Sequence, residues 1–160
     1  VPYTGFYPQP RRMFMNVTLR PATKADSEFA RSVHHRAYHD VVVRQFGVWD
    51  EATQDKFFQD GWNNPGHEIV YFDGVPCGYV RYERLEDEIR GHELVLLPEY
   101  QGKGIGSFLL SKMIQEATEH NFTVTLQVLT KNRASELYLK LGFKKVGHTD
   151  THTLMRWQAN

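Results

Sequence analysis

The chain of 160 residues has one cysteine, Cys77, so an intrachain disulfide cannot form and a cysteine-rich zinc site is excluded. Net charge is missing too. The 19 Lys and Arg are matched by 19 Asp and Glu, which leaves no global field for nucleic acid or an anionic membrane. No apolar run exceeds four residues, the longest being Ile69–Phe72 and Leu94–Leu97, so no segment is suited to cross a bilayer as a helix. Internal repeats and low-complexity tracts are also lacking. What remains is a globular balance of 41% hydrophobic and 24% charged residues, at a length that supports one domain with a real core. The expected setting is cytoplasmic, with neither nucleic acid nor membrane as partner.

Residues 1–15 differ from the rest, with Pro2, Pro8 and Pro10, two arginines and no carboxylate. They lack the apolar centre of a secretion signal and read as a dispensable extension, with Met13 or Met15 as native start. Their aromatics Tyr3, Phe6, Tyr7 and Phe14 could dock on a neighbouring surface. Residues 16–160 form the expected domain.

From Asn16 onward, strand and helix signals alternate. Val17–Arg20 reads as a strand. Thr23 and Asp26 have capping-box spacing and open a helix carrying Phe29, Val33, Ala37 and Val41 on one stripe, ended by Gly47. Asp50 caps a second helix with Phe57 and Phe58, closed by Gly61. Asp73-Gly74 joins strands His67–Phe72 and Val75–Arg84 as a two-residue hairpin turn, because both positions favour positive φ. A third strand runs to Leu97. A glycine-rich loop follows, then a helix with Ile105, Leu109, Met113 and Ala117 in register. Phe122–Leu129 alternates as a strand, a short helix carries Ala134, Leu137, Tyr138 and Leu141, and strands near Phe143–Gly147 and Thr153–Trp157 finish the chain. The order βααβββαβαββ predicts an α/β single domain on a mixed sheet, with helices on both faces.

The chemistry concentrates in Pro98-Glu-Tyr-Gln101-Gly-Lys-Gly104-Ile-Gly106-Ser107. A strand enters and an amphipathic helix leaves, so backbone N–H groups gather at a helix N-terminus, a seat for phosphate. Glycines 102, 104 and 106 admit a ligand without Cβ obstruction, and Lys103 adds charge at the rim. The Gly-Lys-Ser/Thr of a P-loop is absent. The third glycine comes one residue early for a dinucleotide fingerprint, and the next strand offers Gln127 where that fold wants an acid.

Gln101-x-x-Gly104-x-Gly106 after a Pro98-terminated strand resembles the acetyl-coenzyme A signature of the GNAT N-acetyltransferase superfamily. Asn132, Ala134, Leu137, Tyr138 and Leu141-Gly142-Phe143 fit the second half of that family's other element. The likeness spans about residues 16–157. It implies that backbone groups of Leu96 and Leu97 pair with the pantetheine arm and that Gln101, Gly102, Lys103, Gly104, Ile105, Gly106 and Ser107 hold the diphosphate. It further implies that Asn132 lies near the thioester, that Tyr138 protonates the departing thiolate, and that a backbone N–H near Leu96 polarises the acetyl carbonyl. From spacing alone, Tyr138 reads equally as a core tyrosine and Asn132 as a helix cap. His92 and Glu93 are candidates for the base, with His92 favoured; strand alternation lets only one face the substrate.

The expected acceptor wall includes His34, Tyr38, Arg44, Trp49, Tyr79 and Arg81, which suit a small amine carrying a carboxylate. His35 and His39, four residues apart, could hold a metal, but no Glu completes a zinc motif, and none is expected. Asp50, Glu51 and Asp55 could make a local acidic cleft. The reading that results is direct acetyl transfer from acetyl-coenzyme A to a primary amine of a small molecule, without a Cys77 intermediate. Alternatives are a protein or peptide amine, a non-catalytic acyl-coenzyme A sensor or interaction module, and nucleotide chemistry on a Rossmann-like sheet. Apolar edges of the kind small domains carry suggest a homodimer.

Overall fold

The computed structural model describes residues 16–159; the extension at 1–15 and its aromatics lie outside the described residues. The strands are β1 Val17–Pro21, β2 Glu68–Phe72, β3 Val75–Arg84, β4 Glu88–Leu96, β5 Thr123–Leu129, β6 Lys144–His148 and β7 His152–Trp157. The helices are α1 Ser27–Phe46, α2 Glu51–Trp62, α3 Ile105–His120 and α4 Ala134–Lys140. The observed order matches the one expected from sequence. No helix among the described residues is long and apolar enough to cross a membrane.

Local chemistry sets most boundaries. The Thr23–Asp26 capping box opens a 3-10 turn, Lys24–Asp26, that runs into α1, and Asp26 also takes two hydrogen bonds from Arg20 (3.0 and 2.8 Å). Gly47 ends α1 at φ 86°, a left-handed conformation that a side chain disfavours. Asp50 caps α2 by accepting from the Thr53 N–H at 2.9 Å. Gly61 does not close α2 as expected; the helix runs one residue further to Trp62, with Asn63 as its cap. Asp73 (φ 50°) and Gly74 (φ 80°) form the anticipated hairpin turn.

The seven strands lie in the order β1-β2-β3-β4-β5-β7-β6, antiparallel except where β4 runs parallel to β5. On one face, α1 and α2 cover Ile69, Tyr79, Val95 and Leu97 with Ala30, Val33 and Phe58. On the other, α3 covers Val70, Val80 and Leu96 through Ile105 and Leu109, and with α4 closes a further cluster over Ile89, Val124, Leu126 and Met155.

Two irregularities shape the centre of the sheet. Arg81 pairs with Glu93 but Tyr82 pairs with Gly91, so His92 is an extra residue, a β-bulge in β4. The parallel ladder between β4 and β5 stops at Gly91↔Leu126, although β4 continues to Leu96 and β5 to Leu129. A bulge bends its strand and increases its twist, and the two strands part where this one sits.

Candidate active site

The parting of β4 and β5 opens a cavity of about 1990 Å³. Its walls are the C-terminal half of β4, the facing half of β5, the loop before α3, the α4 residues Leu137 and Tyr138, and His34 and Tyr38 of α1.

The glycine loop forms one end. After Leu97 comes a 3-10 turn, Pro98–Tyr100, then Gly102 (φ 75°) and Gly104 (φ 90°), and α3 starts at Ile105. The first helical bond runs from the Phe108 N–H to Gly104 O (2.9 Å), and no side chain caps the helix. The N–H groups of Ile105, Gly106 and Ser107 are therefore the uncapped donors of a helix N-terminus. The backbone fits the diphosphate expected from the sequence, because glycine at 102 and 104, where φ is positive, leaves the approach clear of side chains. Gly102, Gly104, Gly106, Ser107 and Gln101 line the cavity, and Gln101 Nε2 donates to Leu96 O at 2.9 Å. Lys103 is exposed beside the cavity, and the Ile105 side chain is wholly buried, which leaves its backbone as the part able to contribute.

The open edge of β4 narrows one expectation. The Leu97 N–H is committed to Cys77 O on β3 at 2.8 Å. Peptide groups alternate sides along a strand, so the N–H groups of Leu96 and Leu94 turn toward the gap. Leu96 therefore offers the free edge donor, and Leu97 does not.

Tyr138 is 8% exposed and lines the cavity, its ring 5.8 Å from that of Phe143. Burial pushes its phenol up to about 12, so the hydroxyl keeps its proton throughout the neutral range. Asn132 lines the same cavity, but its Oδ1 accepts from the Ala134 N–H at 2.9 Å, which is the helix-cap geometry.

The two base candidates separate. His92 sits on the bulge and contacts Glu83 Oε1 through Nε2 at 2.9 Å, on the more exposed side. Glu93 is under α2, its Oε2 2.6 Å from His67 Nε2, while His67 Nδ1 donates to Asn64 O at 3.1 Å. Gly61 lies against this carboxylate, where a Cβ would make an ordinary contact at 3.5 Å from Glu93 Oε1. The Glu93 charge is felt at His34, Tyr38 and Tyr79. Burial raises the phenols of both tyrosines well above their ordinary range. Both residues line the cavity, but Glu93 is the one held by His67 within reach of His34 and Tyr38, while the His92 ring is engaged with Glu83.

The expected acceptor wall is only half assembled. His34, Tyr38 and Arg44 line the cavity; Arg44 also donates to Lys131 O at 2.9 Å. Tyr79 is fully buried in the core, Arg81 donates to Pro65 O at 2.9 Å, and Trp49 packs on His35 and His39 while donating to Glu51. These three do not line it, because β3 lies under α2 and Trp49 faces outward from the α1–α2 turn. The acidic cleft expected from Asp50, Glu51 and Asp55 is also not formed. Asp50 is a cap, and Arg31 bridges Glu51 (2.9 Å) and Asp55 (2.7 Å). His35, Glu51 and Asp55 bring one ligand atom each within 4.8 Å, but the guanidinium of Arg31 already supplies the cation there. His39 turns instead to Asp40, at 3.2 Å.

Two side chains escaped the sequence reading. Gln54 is 7% exposed, lines the cavity and makes no side-chain hydrogen bond among the described residues. Its position one turn before Phe58 and two before Trp62, on the buried stripe of α2, was a usable signal. His67 gave none, since its partner Glu93 is two strands away in the sheet.

Residues 34–143 match the acetyltransferase (GNAT) family. The L-amino acid N-acyltransferase MnaT of Escherichia coli K12 is 29% identical over 140 residues, 79% of this chain and 79% of that protein. The [ribosomal protein bS18]-alanine N-acetyltransferase of Haemophilus influenzae is 37% identical over 70 residues, covering 43% of this chain and 48% of that one. The crystal structure of PaiA N-acetyltransferase from Thermoplasma acidophilum in complex with coenzyme A superposes with a TM-score of 0.73 at 18% identity. The match covers 91% of this chain and 100% of that one.

Proposed function

This chain belongs to the acetyltransferase (GNAT) family of acetyl-coenzyme A-dependent acyltransferases, and on that premise we propose that it acetylates the primary amine of a small molecule by direct transfer. The observation that carries the proposal is the gap between β4 and β5. It joins an uncapped helix N-terminus, a free strand edge, a protonated phenol and a carboxylate in one cavity.

Acetyl-coenzyme A, when bound, supplies the activated acetyl thioester. The N–H groups of residues 102–107 hold its diphosphate, and the edge of β4 around Leu96 receives the pantetheine arm as an added strand. The Leu96 N–H polarises the acetyl carbonyl. Glu93 takes a proton from the incoming ammonium, directly or through water, with His67 fixing the carboxylate. Tyr138 gives its proton to the departing sulfur, a step worth roughly 10²- to 10⁴-fold for a positioned acid. His34, Tyr38, Gln54 and Arg44 form the acceptor side, with the Arg44 guanidinium as a partner for a carboxylate.

An amino acid is the first acceptor to try, given the E. coli relative. A protein N-terminus is the second reading, supported by the 70-residue stretch shared with the alanine N-acetyltransferase. The test is coenzyme A release from acetyl-coenzyme A against amino acids, polyamines, aminoglycosides and short peptides. Turnover with amino acids and not peptides supports the proposal. A melting temperature raised by acetyl-coenzyme A with no amine acetylated would replace it with a binding module.

A further inference from the structure

The α1–α2 interface holds a chain of three side chains, of which the proposed mechanism uses only His34, and that without a stated role. His34 Nδ1 lies 2.9 Å from His35 Nδ1, and His35 Nε2 lies 2.7 Å from Asp55 Oδ1. A carboxylate can only accept, so His35 Nε2 carries the hydrogen. In neutral His35 the Nδ1 then holds a lone pair, which obliges His34 to donate from Nδ1 and leaves the His34 Nε2 lone pair free. His34 lines the cavity. Its Nε2 has no partner among the described residues, yet it is not a fully buried unpaired atom, as Tyr79 Oη is. The lone pair therefore opens on the cavity.

We infer that His34 is the amine-binding residue of the acceptor site, its Nε2 accepting an N–H of the substrate amine, with His35 and Asp55 as positioning residues that fix its tautomer. The inference rests on the transferase reading and deepens it. A primary ammonium has three N–H groups. One proton goes to Glu93 and leaves the nitrogen lone pair to attack; a second N–H, held on His34 Nε2, orients that lone pair without being transferred. Burial, then the neighbouring His35, hold His34 down to about 4, which keeps the ring a neutral acceptor in the neutral range. Asp55 is half-buried, lies outside the cavity lining and can be changed from outside the core, which makes the chain testable without touching the cavity.

The experiment is nitrogen-detected NMR of the full chain with labelled histidine, with propylamine as probe amine, run beside steady-state kinetics. The expected spectrum has His34 protonated at Nδ1 and bare at Nε2, with the Nε2 resonance moving when propylamine and coenzyme A are added. Asp55→Ala is expected to release the lock and populate the Nε2–H tautomer. His34→Gln should lower kcat/KM for the amine by about tenfold, the scale of one hydrogen bond to a charged group, with KM for acetyl-coenzyme A unchanged. Asp55→Ala should add nothing in the His34→Gln background. A wild-type His34 carrying hydrogen on Nε2, or a tautomer indifferent to Asp55→Ala, overturns the inference. The tautomer is read without turnover, so an enzyme inactive on every amine would refute the transferase reading separately.

Discussion

Acidification offers a quantitative test of how His34 is housed. The side chain is 9% exposed, between Tyr38 and Phe58 (ring centroids 5.0 and 5.6 Å away), and burial is the main reason it falls from 6.5 to about 4. His35 opposes protonation as well, while Glu93 and Asp55 favour it. A base whose folded value is depressed adds stability that is complete above its unfolded value and is lost as pH falls through the folded one. The window is therefore pH 6.5 down to about 4. Linkage gives a loss of about 1 kcal/mol near pH 5.5, growing to roughly 2–3 kcal/mol near pH 4.5. Against a typical 5–15 kcal/mol of total stability, such a loss is large. The assay is urea unfolding of wild type and His34→Gln at several pH values, read as the difference between the two curves. His152, also lowered by burial, is present in both proteins and cancels. Parallel loss of stability in the two proteins across that window would refute the housing described here.

Three further outcomes follow from other parts of the structure. Tyr138→Phe keeps the ring against Phe143 and removes the proton donor, so kcat should fall about 10²-fold or more while KM for acetyl-coenzyme A stays within about twofold. Gly104→Ala puts a side chain at φ 90° in the diphosphate loop and should weaken coenzyme A binding in calorimetry by about tenfold. The matched control is Gly47→Ala, at φ 86° with open space around it; it should cost only about 1 kcal/mol of stability, seen in urea unfolding. Gly78→Ala would place a Cβ 2.2 Å from Val95 O, a backbone atom that cannot rotate away. The variant should lose more than about 3 kcal/mol or fail to accumulate as soluble protein.

The strands, the helices and the glycine loop were legible because each is written locally: alternation in β5, four-residue spacing in α1, positive φ at Asp73-Gly74, and the glycines at 102, 104 and 106 around Ile105. Several strand ends moved by a residue, and one helix boundary slipped at Gly61, which stays helical beneath Glu93. The surroundings of the two base candidates were not legible for a related reason. Strand alternation says that His92 and Glu93 face opposite ways, but the bulge breaks the alternation there: His92 reaches Glu83, which shares a face of β3 with Arg81, the pairing partner of Glu93. A bulge adds one residue without altering the polar and apolar pattern, so nothing in Gly91-His92-Glu93 announces it. The pairing of Glu93 with His67 is likewise a property of strand order, since it joins residues 26 positions apart across β3. Tyr79 and Arg81 failed as acceptor residues because α2 covers that part of β3, again a matter of layering.

The bulge at His92 links fold and chemistry causally. If β4 stayed regular, its ladder with β5 could run on from Gly91 toward Leu96, and the strand-edge N–H groups would be spent inside the sheet. Once the ladder ends at Gly91↔Leu126, an open edge faces the gap, and the register beyond the bulge carries Glu93 beneath α2. There it meets His67 and comes within electrostatic reach of His34 and Tyr38, while α3 leaves the far end of the same strand with its first N–H groups uncapped. A single inserted residue thus serves both halves of the proposed reaction, since it exposes the edge that receives the acyl carrier and orients the carboxylate toward the amine side. On this argument the two halves of the site share one structural origin, and a change that straightens β4 should impair both together.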